Sequence, residues 1–135
     1  MYIDKNYFLT RISSDKLNEL TGGDDNKLNQ VITTSDAIVD SYLRTKINVL
    51  PLSNPDANIK DCSYNIAIYK LHETIQYESI PEYIMNGYDI AINYLKDVAS
   101  GKVQLTVLDE IPDENIETSI TKTGYKPKYD RDKLL

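Results

Sequence analysis

Residues 25–52 constrain this chain most, because a long helical pattern there is cut short by prolines. Leu28, Val31, Ile32, Ile38, Val39, Tyr42 and Leu43 recur with a period near 3.6, painting one apolar face along a helix. Thr33, Thr34, Ser35, Asp36, Asp40 and Arg44 fall on the other side and are expected to meet water or another molecule. Such a helix is a rod of roughly 33 Å, long enough to support a small domain. It is expected to stop near Ile47, since Pro51 and Pro55 each remove a backbone donor and push the preceding residue into an extended form. Val49, Leu50 and Leu52 are apolar inside that break, so the loop is expected to pack on something.

Shorter elements precede this rod. Asp4 is placed to cap a short helix carrying Tyr7, Phe8 and Ile12, and Ser13 or Ser14 to open another through Leu17 and Leu20. Thr21-Gly22-Gly23-Asp24-Asp25-Asn26 then breaks the pattern, and Asp25 or Asn26 is the expected N-cap of the long helix. Beyond the prolines, Asn58 opens a helix with two apolar stripes. Ile59, Cys62, Ile66 and Tyr69 form one; Tyr64, Ile68, Leu71 and Ile75 form the other. Two stripes predict a helix covered on more than one side, at the centre of a bundle. Pro81 fits the first turn of a further helix whose core face is Ile84, Tyr88, Ala91, Ile92, Leu95 and Val98, with Gly101 where a C-cap glycine belongs.

After Gly101 the period changes. Val103, Leu105 and Val107 alternate with polar residues as a half-buried strand or extended strip too short to stand alone. Residues 109–117 then hold five acids and no base, whereas residues 122–133 hold five bases and two acids. Such a stretch has too little apolar area to fold by itself. The expected architecture is all-α: a small bundle of about four main helices over residues 1–108, a short extended strip, and an extended arm over residues 109–135 docked on a partner.

The 135 residues suffice for one domain with a core of its own, without metal or disulfide. A net charge of −6 argues against a DNA clamp or a membrane-surface binder, though not against a wall past which DNA slides. The start, Met1-Tyr2-Ile3-Asp4-Lys5, has no apolar stretch of signal length, and no run approaches membrane-spanning length, so the expected compartment is the cytosol. Eleven tyrosines against one Phe and no Trp suit half-buried rims and subunit interfaces, or equally reflect an AT-rich genome.

Reactive chemistry is not evident. His72 is the single histidine and lacks the companions that a metal site or a catalytic triad needs. Cys62 has no partner for a bridge and reads as a small buried hydrophobe. The acidic loop at residues 21–26 lacks the alternating oxygen ligands of a calcium loop, and Gly22-Gly23 and Gly101-Lys102 lack the offsets of a phosphate loop. Asp36 and Asp40, one turn apart, read as solvated helix surface, with Asp40 and Arg44 an exposed ion pair worth a few tenths of a kcal/mol, roughly. The expectation is no enzyme, no cofactor and no metal.

One set of residues carries a resemblance. Tyr2-Ile3, Glu19-Leu20-Thr21, Ala37-Ile38 with Asp40-Ser41-Tyr42-Leu43-Arg44, and Leu50-Pro51-Leu52 match in order. So do Ile66-Ala67-Ile68-Tyr69 with Leu71, and Tyr88, Ala91-Ile92, Tyr94-Leu95 and Gly101. Over about residues 2–105 the sequence resembles the small head-tail connector proteins of Mu-type tailed bacteriophages, a family formerly described only as a domain of unknown function. It departs from that pattern at Ser41, where the family has glycine, at Thr45-Lys46-Ile47, and in a segment one residue longer before the proline. The residues beyond 108 have no matched counterpart.

The resemblance implies a helical adaptor forming a ring, commonly of twelve copies, between the portal and the tail-side neck or stopper proteins. Genomic DNA would pass through the channel without specific binding, and no membrane is involved. Its place would be the neck of the virion, and the host cytoplasm during assembly. Tyr42, Arg44, Val49, Leu50 and Leu52 are the candidate subunit-interface residues. Lys122, Tyr125, Lys126, Lys128, Tyr129, Arg131 and Lys133 are the candidate portal-docking arm. A competing reading is a small prophage regulatory or binding protein using residues 109–117 as a nucleic-acid mimic. Truncation after Leu108 is predicted to yield particles that fail to attach tails or to retain DNA. Normal tail attachment and packaging in such particles would remove the docking role from the arm.

Overall fold

The computed structural model describes residues 1–75 and 79–105. Those residues form five α-helices and no strand: α1 Lys5–Leu9, α2 Ser14–Thr21, α3 Asp25–Leu43, α4 Ala57–Glu73 and α5 Glu82–Ser100. Three are long and two are short, the helical bundle that the apolar periods predicted. Residues 106–135, with the arm and Val107, lie outside the described residues.

Short polar side chains start most of the helices by accepting from otherwise orphaned N–H groups, each such cap worth about 1 kcal/mol. Asp4 accepts from Tyr7 N at 3.0 Å and Ser13 from Lys16 N at 3.1 Å. The long helix is capped by Asp24, which accepts from Asn26 N at 2.9 Å, so the cap falls one residue before Asp25 and two before Asn26, the expected candidates. Asp56 caps α4 through Ile59 N at 2.9 Å, ahead of the Asn58 start read from sequence. Pro81 stands as N-cap of α5, and its carbonyl accepts from Ile84 N and Met85 N. Gly101 ends α5 with φ 89°, a left-handed conformation natural to glycine.

The rod is shorter than expected. Regular helix stops at Leu43 with Arg44 as cap, and a turn carries the chain to Ile47, with the N–H groups of Lys46 and Ile47 both donating to Leu43 O at 2.9 Å. The segment after Gly101 makes no strand among the described residues. It returns along the bundle with Val103 N donating to Asp97 O at 3.2 Å, and Val103 and Leu105 pack half-buried on the core.

Helix α4 is the centre. Ile59, Cys62, Ser63, Tyr64, Ile66, Ala67, Ile68, Leu71 and His72 are all buried, so nearly every side of this helix is covered. It lies between α3 and α5, while α1 and α2 close one end. Two apolar clusters form along it. One gathers Val39, Leu43, Ile59, Ile66, Ala91, Leu95 and Val98, with Ile47, Leu52 and Tyr2. The other gathers Phe8, Leu17, Leu20, Leu28, Ile32, Ala67, Ile68, Leu71 and Ile84. Each fully buried Leu, Ile or Phe contributes about 1.5–3 kcal/mol relative to exposure.

One approach is unusually close. A β-carbon added at Gly87 of α5 would lie 3.2 Å from Asn65 Oδ1 of α4, so glycine there keeps the two helices in tight contact. Ile66, fully buried on α4, tests the central position: Ile66→Ala is predicted to lower unfolding free energy by about 2–5 kcal/mol. Ile90→Ala on the outside of α5 is predicted to change it by less than about 0.5 kcal/mol. Urea denaturation followed by circular dichroism measures both.

Candidate functional site

Thr33, Thr34 and Arg44 are exposed as their spacing suggested, but Ser35, Asp36 and Asp40 are not. Ser35 is fully buried, and it sits between Ile32 and Val39 on the apolar stripe, opposite the equally buried Ser63 of α4. The two hydroxyl oxygens are 3.1 Å apart. Ser63 donates to Asp36 Oδ1 at 2.7 Å, which leaves the Ser35 proton for Ser63 Oγ or for the Ile32 carbonyl at 2.9 Å. The sequence reading of Ser35, Asp36 and Asp40 as solvated surface is therefore corrected: the N-terminal segment and α4 lie over that side of α3.

Tyr2 is the second half of this arrangement. Its backbone N–H donates to Asp36 Oδ2 at 3.0 Å, and the terminal amine lies 3.9 Å from the same oxygen. Its hydroxyl donates to Asp40 and accepts from Leu52 N at 3.0 Å. Asp40 thus serves Tyr2 in place of the expected exposed pair with Arg44. Burial raises the Asp36 carboxyl above its ordinary range; its hydrogen bonds from Ser63 and Tyr2 offset only part of that rise, and the Asp40 charge adds to it. Burial and the bond to Asp40 likewise raise the Tyr2 hydroxyl. The network makes one side chain hold the N-terminus, α3 and the proline loop together.

A third cluster pins α1 to α4. Tyr7 donates to Asp61 Oδ1 at 2.6 Å, Arg11 donates to the same carboxylate and to Tyr7 Oη, and the guanidinium lies 4.8 Å and 5.1 Å from the ring centres of Tyr7 and Tyr64. Burial alone would raise Asp61, yet the bonds from Tyr7 and Arg11 and the Arg11 charge outweigh it and hold Asp61 low. Burial, reinforced by Asp61, pushes the Tyr7 hydroxyl up to about 12. These groups clamp one another, which is a packing role. Cys62 is buried, and that burial pushes its thiol up to about 12, so it stays protonated at neutral pH. His72 is buried in the last turn of α4. Among the described residues no three His, Cys, Asp or Glu side chains gather as a metal-binding group, and no helix is long and apolar enough to cross a membrane.

The outer surface divides the expected interface residues. Leu52 is buried in the core, Tyr42 and Leu50 are half-buried against it, and only Val49 and Arg44 open outward. Of the proline-loop apolar residues, Val49 alone is mainly exposed, at 56%. The arm residues Lys122, Tyr125, Lys126, Lys128, Tyr129, Arg131 and Lys133 lie outside the described residues. Two features escaped the sequence reading. Tyr83 and Ile90 of α5 are 70% and 67% exposed, and an open groove of about 410 Å³ runs between the turn after α3 and the end of α5. Lys46, Ile47, Val98, Gly101, Val103, Gln104 and Leu105 line it.

The model of the family described as Bacteriophage Mu, Gp36 matches residues 2–121. The chain belongs to the Bacteriophage Mu, Gp36 family. No curated protein matches it. The match spans all five helices and continues to residue 121, so it reaches further than the resemblance over about residues 2–105 and covers part of the segment beyond 108 for which the sequence reading found no counterpart. Tyr2, where the match begins, is also the residue that ties the fold's loose ends together.

Tyr2→Phe keeps the ring but removes the hydroxyl that accepts from the buried Leu52 N–H, and the predicted loss of stability is about 1–3 kcal/mol. Chemical denaturation of the variant beside Tyr7→Phe, whose hydroxyl is on the exposed clamp, measures it; the Tyr2 change is predicted to cost more.

Proposed function

We propose that this protein is a structural component of the virion: a head-tail connector that forms a ring between the portal and the tail machinery, with a channel for the genome. Membership of the Bacteriophage Mu, Gp36 family over residues 2–121 is the observation that carries the reading. The architecture suits it. Inside the bundle Ser35, Ser63, Asp36 and Tyr2 bond one another or the backbone, and Tyr83 and Ile90 are left on its outside.

In this reading the chemistry is assembly and not catalysis. The partners are further copies of the chain, the portal protein and the tail-side neck or stopper proteins. A net charge of −6 suits a wall that DNA passes without adhering, since like charges repel the phosphate backbone. Lys122, Lys126, Lys128, Arg131 and Lys133 would supply the opposite sign for an acidic portal surface, with Tyr125 and Tyr129 as anchors.

The test is a density map of whole particles. It is predicted to show this chain as a ring at the portal vertex, with the five-helix bundle recognisable in each copy. Purified virions without the polypeptide would overturn the reading.

A further inference from the structure

Two surfaces at opposite ends of α5 are unlike and complementary. Toward its N-terminus, Tyr83 and Ile90 stand seven residues apart, which brings them to nearly the same side of the helix, about 20° apart in rotation. Both are mainly exposed, with Glu82 and Asp89 exposed beside them and no basic residue in α5 before Lys96. This is an apolar ridge with an acidic edge.

The other end carries the groove. Ile47, Val98, Val103 and Leu105 give it an apolar floor, while Lys46 forms part of its wall. Lys102 is exposed between two lining residues, and Arg44 is exposed at the end of α3. Lys46 also reaches across Gly101, where an added β-carbon would lie 3.5 Å from its Nζ. The groove is thus a hollow with a basic rim.

Resting on the connector reading, we propose that copies of this chain join head to tail, the Tyr83–Ile90 ridge of one copy docking in the groove of the next. Charge selects this pairing over the alternatives. Ridge against ridge sets Glu82 and Asp89 against their own kind, and groove against groove sets Lys46 and Lys102 against theirs. A contact between two different patches is heterologous, so it propagates: each copy keeps a free ridge and a free groove until a ring closes. The two patches lie about 17 Å apart along α5, from Ile90 to Gly101, so one copy can engage both neighbours at once.

Cross-linking of the full-length protein tests this. Ile90→Cys and Gln104→Cys each add one exposed thiol, and the native Cys62 is buried. With a short thiol-specific cross-linker at high protein concentration, an equal mixture of the two variants is expected to give covalent dimers at several-fold the yield of either variant alone. The double variant is expected to give a ladder of higher species, in solution and in assembled particles. A further arm uses charge: D89K and K102E are each expected to lower the cross-link yield, and the two combined to restore it.

Yields in the mixture no higher than those of the separate variants, in solution and in particles alike, would overturn the contact, as would failure of the double charge exchange to restore it. A groove filled by this chain's own C-terminal residues or by another protein would give that negative result. The contact and the connector reading fail separately. A vertex ring without the ladder sinks only the contact, and the ladder without a place in virions sinks only the connector.

Discussion

The fold depends on one contact, the meeting of Ser35 and Ser63 where α3 crosses α4. Both residues are small, so the backbones come close, and both hydroxyls are fully buried, so their bonds must be made inside the protein. Ser63 turns its proton to Asp36, Asp36 takes the Tyr2 N–H, and the Tyr2 hydroxyl links Asp40 with Leu52. A slip of α3 by one turn would set Ile32 or Val39 against Ser63 and leave a buried hydroxyl unmatched, at a cost of about 1–3 kcal/mol before any loss of apolar packing. The apolar stripes alone tolerate such a slip far better, because one branched aliphatic side chain replaces another. The polar seam therefore sets the register, while the two clusters on either side of it supply most of the driving force.

From that register the outside follows. Fixing α3 on α4 places the turn after Leu43 beside the end of α5, which is what opens the groove at Ile47 and Val98. Fixing α5 on α4 through the Gly87–Asn65 approach turns Tyr83 and Ile90 outward. In the proposed role these surfaces are the working parts, and the interior exists to hold them at constant separation. Membership of the Bacteriophage Mu, Gp36 family is compatible with that division of labour.

The helices were legible because their signals are local. Asp4, Ser13, Pro81 and Gly101 mark helix ends through their own backbone preferences, and the double stripe of α4 announced its central position. The caps of α3 and α4 were read one or two residues late, since Asp24, Asp25 and Asn26, and likewise Asp56 and Asn58, are all competent caps. The seam was not legible for a different reason. Asp36 and Asp40 have the spacing of ordinary surface carboxylates, and what buries them is Tyr2, more than thirty residues away in sequence. A clue was present: Ser35 continues the series Leu28, Ile32, Val39 and Leu43, so a polar residue on the apolar stripe was asking for a buried partner. The expected interface set fared unevenly on exposure because an apolar loop residue reads the same whether it packs inward, as Leu52 does, or outward, as Val49 does.

Native-state hydrogen exchange of the full chain tests the claim that the seam joins both halves into one cooperative unit. Amides of α3 around Ser35 and of α4 from Cys62 to His72 should exchange together, only through global unfolding, with the same urea dependence as the whole protein. Exchange near Ser35 by a separate local opening, while α4 stays protected, would contradict the account.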